Sequence, residues 1–217
     1  MPTYTYTLFD DRFGVGRFGG ATHARGINSA GQIVGYIDGA NGSSQGFILS
    51  NGIYSPLDDP LGTQGTFPSG INSTGQIVGT YQDAGGASHG SHGFLYSGGG
   101  YLTLDHPLAL PGTTHALGIN DAGEVVGYYD TNSPVQPFPA VHGFLYSGGT
   151  YYTLDDPSAS PPPGGGTVAY SINNAGQVLG RYSDASGTAA FTRRSLTLPG
   201  PSKTALFRTA STMQARS

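Results

Sequence analysis

The chain has 217 residues with 37 Gly, 15 Pro, 14 Tyr and 10 Phe, no Cys, and a net charge of −4 carried by only 10% charged residues. That length allows one sizeable core. The weak acidic charge excludes a nucleic-acid surface, which needs a basic patch, and the missing Cys excludes disulfides, thiolate nucleophiles and Cys-based zinc sites together.

Residues 4–11, Tyr-Thr-Tyr-Thr-Leu-Phe-Asp-Asp, match IYSPLDDP at 53–60, YLTLDHP at 101–107 and YYTLDDP at 151–157, so the chain opens in the middle of a repeat. No basic segment followed by an apolar core is read there, so no signal peptide is expected. No apolar run approaches the roughly 18 residues of a membrane span.

After a Gly-rich loop comes Gly26-Ile27-Asn28-Ser29-Ala30-Gly31-Gln32-Ile33-Val34-Gly35. It returns as GINSTGQIVG at 70–79, GINDAGEVVG at 118–127 and SINNAGQVLG at 171–180. Each copy predicts a hairpin: Asn bonds its own backbone at the turn and the Gly three residues later supplies a positive φ. The strand that follows is β-branched and aromatic, and its inner Gly (Gly35, Gly79, Gly127, Gly180) marks a close approach of other atoms. Tyr36, Tyr81, Tyr128 and Tyr182 read as one repeated packing position after that Gly.

A third strand carries Gly46-Phe47, Gly93-Phe94, Gly143-Phe144 or Ala190-Phe191, and a fourth ends in Leu57, Leu104 or Leu154. The fourth repeat has no such last strand, and the missing piece is the one at the N-terminus. The fold class expected is therefore all-β: a four-bladed β-propeller with four antiparallel strands per blade, closed by the N-terminal strand, which removes exposed sheet edges. Blades are expected at about 20–58, 66–105, 113–155 and 167–193 plus 3–10, in one repeat domain over 1–198, with a poorly ordered tail at 199–217.

The G-x-N-x-x-G-x-h-h-G hairpin coupled to His92-Gly93-Phe94 and His142-Gly143-Phe144 resembles the bacterial extracellular repeats named for a His-Ala-Phe motif (HAF repeats). The match covers roughly residues 20–192, with Gly for Ala in most copies, and Gln45 and Ala189 where two copies lack the His. The resemblance implies a secreted or cell-surface propeller without an established general activity, and it supplies no catalytic residues.

Spacing separates two ends of the array. From the first-strand Ile to the second-strand Gly is 8 residues in all four copies, whereas second-strand Gly to third-strand Phe takes 12, 15, 17 and 11. Binding or chemistry is expected at the variable end, to which all six His belong: His23, His89, His92, His106, His115 and His142. His23 and His115 stand in the first and third repeats and are expected to flank the mouth of a central channel. The ligand-binding set expected is His23, His115, His92, His142, Tyr36 and Tyr128, with satisfied backbone bonding the plainer role for the imidazoles.

Asp58, Asp59, Asp155 and Asp156, with Asp10 and Asp11, are oxygen-rich enough to consider calcium, but Asp before Pro is first a turn former, and no cofactor is expected. Three further matches are set aside. Gly14-x-Gly16-x-x-Gly19 precedes no helix, Gly86-x-Ser88-x-Gly90 lacks a strand-to-helix elbow, and Asn72-Ser73-Thr74 uses its Asn in the hairpin.

The function expected is a non-enzymatic extracellular propeller that binds carbohydrate or another surface partner. The alternative is a polysaccharide lyase or glycoside hydrolase with His23 or His115 as base, Arg25 neutralising a uronate and Tyr128 as acid. Ligand identity and oligomeric state are open at this level.

Overall fold

A computed structural model describes residues 20–39, 42–85, 90–131, 139–159, 165–184 and 187–193. Among them the chain is all-β, with fifteen strands and no helix. The first unit is β1 (Thr22–Ile27), β2 (Ile33–Asp38), β3 (Ser44–Ser50) and β4 (Ile53–Pro56). The second is β5 (Gly65–Ile71), β6 (Ile77–Gln82), β7 (Ser91–Ser97) and β8 (Gly100–Leu104). The third is β9 (Thr114–Ile119), β10 (Val125–Thr131), β11 (Ala140–Ser147) and β12 (Thr150–Thr153), and the fourth β13 (Gly166–Ile172), β14 (Val178–Asp184) and β15 (Gly187–Arg193). Within each unit consecutive strands pair antiparallel.

The hairpin between the first two strands forms as its residues dictate. Asn28 accepts from the Ala30 and Gln32 amides through Oδ1 at 3.1 and 3.0 Å, and Gly31, Gly75, Gly123 and Gly176 take φ values of 75, 81, 76 and 71°, the left-handed region that Gly enters without strain. The inner Gly and the Phe are partners across the second and third strands: Gly35 faces Phe47, Gly79 faces Phe94, Gly127 faces Phe144 and Gly180 faces Phe191. A Cβ on Gly127 would overlap the His115 carbonyl oxygen and lie 2.8 Å from the Phe144 ring. The two sequence motifs are thus one packing unit.

Three equivalent parallel contacts string the units together, Ser44 to Gly65, Ser91 to Thr113 and Val141 to Gly166. Two of them merge neighbouring units into an eight-stranded and a seven-stranded sheet. The core sits between units. Val34 and Leu57 of the first pack with Ile71, Ile77, Tyr81 and Phe94 of the second; Val78 and Leu104 pack with Ala116, Ile119, Val125, Tyr129 and Phe144; Val126, Leu145 and Leu154 pack with Ala169, Ile172, Val178 and Phe191. Among the described residues the first strand of each unit, β5, β9 or β13, lies closest against the preceding sheet. Aromatic groups fill the space beyond it, as in Phe94, Tyr96 and Tyr101, whose rings meet at 5.6 and 4.9 Å. This is the use of the many Phe and Tyr residues.

At the hairpin ends a ladder of Asn side chains crosses the unit boundaries. Asn28 Nδ2 donates to the Asn72 carbonyl at 3.1 Å, Asn72 Nδ2 to Asn120 at 3.1 Å and Asn120 Nδ2 to Asn173 at 3.3 Å. The proposed closing strand 3–10 and the tail 199–217 lie outside the described residues, and among those described no strand pairing joins the fourth unit to the first.

Candidate functional site

The first strands of successive units touch, β1 against β5, β5 against β9 and β9 against β13, so they set side chains of all four units along one row. Each carries an irregularity in register two residues before its closing Ile. The extra residue, Arg25, Ser69, Leu117 or Tyr170, leaves the simple in-and-out alternation, which is what a β-bulge does.

In the first unit His23 pairs across the ladder with Tyr36. Their rings stack at 4.6 Å, and His23 Nε2 lies 2.9 Å from Asp38 Oδ2. The bulged Arg25 donates from Nη2 to the Tyr36 hydroxyl at 2.8 Å, with its guanidinium 5.3 Å from the Tyr36 ring centre. Tyr36 then meets Phe67 of the second unit edge to face at 5.1 Å. In the third unit His115 stacks on Tyr128 at 4.5 Å and reaches Thr80 of the second unit through Nδ1 at 3.5 Å. Burial lowers His115 to a pKa of about 4, so it is neutral at physiological pH, and burial likewise raises the Tyr128 phenol. In the fourth unit the polarity is exchanged: the bulge holds Tyr170, and Arg181 on β14 donates to its hydroxyl from Nε at 2.6 Å. A cleft of about 220 Å³ adjoins this end, lined by Pro139, Val141, Gly166, Val168 and Arg181 among others.

His23, Tyr36 and Arg25 therefore form one cluster and His115 with Tyr128 another, two units apart on the same row. No hydrogen bond or ring contact joins the two among the described residues. Phe67, Thr80, Tyr170 and Arg181 belong to the row but are not singled out by sequence spacing. Aligning the first strands as THARGI, TFPSGI, THALGI and TVAYSI is the signal for Phe67 and Tyr170, and aligning the second strands on their inner Gly sets Thr80 and Arg181 at the place of Tyr36 and Tyr128.

His92 and His142 lie elsewhere in their units. His92 stacks on Tyr81 at 5.0 Å and bonds Asp105 through Nδ1 at 2.8 Å, with Asp83 3.5 Å from Nε2. His142 stacks on Tyr129 at 5.3 Å, bonds Asp155 through Nδ1 at 2.7 Å and reaches Thr131 through Nε2 at 3.2 Å. The Asp155 hydrogen bond outweighs desolvation and holds the His142 pKa above its usual value. These imidazoles clasp the third strand to the end of the fourth. In the first unit Gln45 takes the same role, donating from Nε2 to Asp58 at 2.7 Å.

The expectation that Tyr36, Tyr81, Tyr128 and Tyr182 share one position needs correction. Tyr36 and Tyr128 directly follow the Gly, whereas Tyr81 and Tyr182 come one residue later, as does Tyr129. One residue along a strand reverses the face, so Tyr81 and Tyr129 are buried in the core and Tyr36 and Tyr128 are half-exposed on the row.

The acidic pairs act as turn groups. Asp59 and Asp156 accept from the Leu61 and Ser158 amides at 2.9 and 2.8 Å, while their own amides donate to Thr66 and Thr167. His106 occupies the same place in the second unit: its amide bonds Thr114 and its Nδ1 accepts from Leu108 at 3.2 Å. It is buried, stacked on Tyr129 at 3.7 Å, and burial lowers its pKa to about 4. Among the described residues no three His, Cys, Asp or Glu side chains converge in a way that could hold a metal ion. His89, Asp10 and Asp11 lie outside those residues.

No family model matches the chain, and no curated protein is similar to it at a significant level. Among solved structures it is similar to the lectin of the fungus Aleuria aurantia, a six-bladed β-propeller with a fucose recognition mode. The TM-score is 0.37 and the identity 12%, over 81% of this chain and 65% of the lectin.

Proposed function

We propose that the chain is a non-enzymatic, propeller-type repeat protein of the His-Ala-Phe kind, working outside the cell, that holds carbohydrate along the row of first strands. The observation that carries this is the series of half-exposed rings set beside hydrogen-bonding groups: Tyr36 with His23 and Arg25, Tyr128 with His115, and exposed Tyr170 with Arg181. A sugar offers apolar C–H faces and a rim of hydroxyls, and specific pockets combine aromatic surface with a few placed polar groups in that way. Each ring is held by a stack or a hydrogen bond before any ligand arrives, which reduces the ordering cost of binding.

Glycan-array screening followed by calorimetry on the neutral and uronate-containing oligosaccharides that score tests this. Tyr36→Ala and Tyr128→Ala are each expected to weaken binding about tenfold, or ~1.4 kcal/mol. No binding across both classes of glycan, or unchanged affinity in both variants, refutes it.

A lyase is the second reading, favoured by Asp38 at 2.9 Å from His23 and Arg25 beside it. It requires ultraviolet-absorbing unsaturated products from a uronate polymer that vanish in His23→Ala.

A further inference from the structure

The three internal junctions are built alike, and among the described residues each end of the array displays one half of the same junction uncovered. In every internal junction the Val that precedes the inner Gly, Val34, Val78 or Val126, is fully buried beneath the first strand of the following unit, and the Ile that closes that strand, Ile71, Ile119 or Ile172, is buried in the same cluster. At the two ends the equivalents are open: Leu179, which replaces the Val in the fourth unit, is 48% exposed, and Ile27, which closes β1, is 67% exposed. Ala24 is likewise exposed, whereas its equivalents Ala116 and Ala169 are buried. Phe47 and Leu49 of β3 are already buried, whereas Ala24 and Ile27 are open on β1, the counterpart of the strand that makes the close contact at every internal junction.

The polar half of the junction is unfinished at the same two places. Asn28, Asn72 and Asn120 each donate from Nδ2 to the carbonyl of the Asn one unit on. Asn173 donates from Nδ2 only to Gln177 in its own turn, at 2.8 Å, among the described residues. The carbonyls of Asn72, Asn120 and Asn173 each receive such a bond from the preceding unit; among the described residues that of Asn28 receives only its own turn's amide, from Gly31.

We infer that a second copy of this chain docks head to tail, its β1 strip laid over β13 and β14 of the first copy so that Ile27 covers Leu179 and Asn173 donates to the Asn28 carbonyl. The occupant is a second copy because the uncovered surfaces are the two complementary halves of an interface the chain already makes three times. Such contacts are heterologous: the surface used at one end differs from that used at the other.

Sedimentation or light scattering of the full chain is expected to give a mass at least twice 22.3 kDa. Ile27→Asp and Leu179→Asp are each expected to be monomers with the circular dichroism of the parent, since both positions face solvent within one copy. Mixing them is expected to restore a one-to-one dimer, because the Ile27→Asp copy keeps an intact fourth unit and the Leu179→Asp copy an intact first unit. A monomeric parent, as a ring closed within one chain would give, overturns the proposal. So does a single variant that still associates, as a like-to-like contact through Ile27 would allow, or a mixture that stays monomeric.

Discussion

Replacing Asn72 by Ala should be among the most damaging changes of one small polar side chain in the array. Asn72 is 3% exposed. Its Oδ1 accepts from the Thr74 amide at 3.2 Å, the Thr74 hydroxyl at 2.9 Å and the Gln76 amide at 2.8 Å, and its Nδ2 donates to Gln76 Oε1 at 2.8 Å and to the Asn120 carbonyl at 3.1 Å. At about 1 kcal/mol net per bond, and with buried amides left unpaired, Asn72→Ala is expected to lose about 3–5 kcal/mol. Asn173 makes the matching local bonds, to Ala175, Gln177 and the Gln177 side chain, but it is exposed and its amide crosses no unit boundary. Within one copy water replaces its partners, so, with all these variants made in the Ile27→Asp background that keeps copies apart, Asn173→Ala should lose only about 1 kcal/mol. Asn72→Asp separates the two roles, because it keeps the accepting oxygen yet sets a carboxylate against Gln76 Oε1 and the Asn120 carbonyl; it should lie nearer to Asn72→Ala than to the parent. Urea unfolding with a common slope measures all three. Equal losses for Asn72→Ala and Asn173→Ala would refute the ladder as a source of stability between units.

Three other outcomes follow from the same geometry. Gly127→Ala drives a Cβ onto the His115 carbonyl and the Phe144 ring and should destabilise by about 3 kcal/mol or more, whereas Gly31→Ala meets open space at φ 75° and should lose only about 1 kcal/mol; thermal unfolding compares them. His142→Gln should stay within about 1 kcal/mol of the parent, since Gln45 already makes that clasp to Asp58 in the first unit, while His142→Ala leaves Asp155 its bond from the Gly143 amide but takes away the imidazole's and should lose about 1–2 kcal/mol. For pH, His106 has a folded pKa of about 4 against 6.5 unfolded, so the unfolded chain takes up its proton first and stability falls as pH drops from about 6.5 to 4, by up to ~3 kcal/mol. His115 adds to this loss in the same window. His142, raised by Asp155, works oppositely: its contribution is full below pH 6.5 and is lost as pH rises through its folded pKa. His106→Asn keeps the turn acceptor and should flatten the acid limb measured by urea titration at stepped pH; an unchanged limb would refute the assignment.

What could be read from the sequence was local or periodic. The Asn-x-x-Gly turns are decided within five residues, and the four copies keep their spacing, so the hairpins and the all-β class were legible. The link between Gly127 and Phe144 was not, because the two are 17 residues apart across a loop of variable length and meet only through strand register. The bulges at Arg25 and Tyr170 were hidden for a related reason: an extra residue in a strand has no composition of its own, and it decides where the Arg and Tyr of the row end up. The tyrosines following the inner Gly were misaligned by one place, which in a strand is the whole difference between core and surface. His106 was counted with the other imidazoles at the variable end, though LDHP against LDDP already marked it as standing in for a turn aspartate.

The seams of this molecule run between neighbours and not through them, and every seam is cut to the same pattern. Excising residues 66–113, or copying them, brings together edges that already match, so the number of modules can change in steps of about 48 codons without redesigning any interior. Length, and with it the count of ring platforms along the row, is then a quantity that gene duplication can adjust directly.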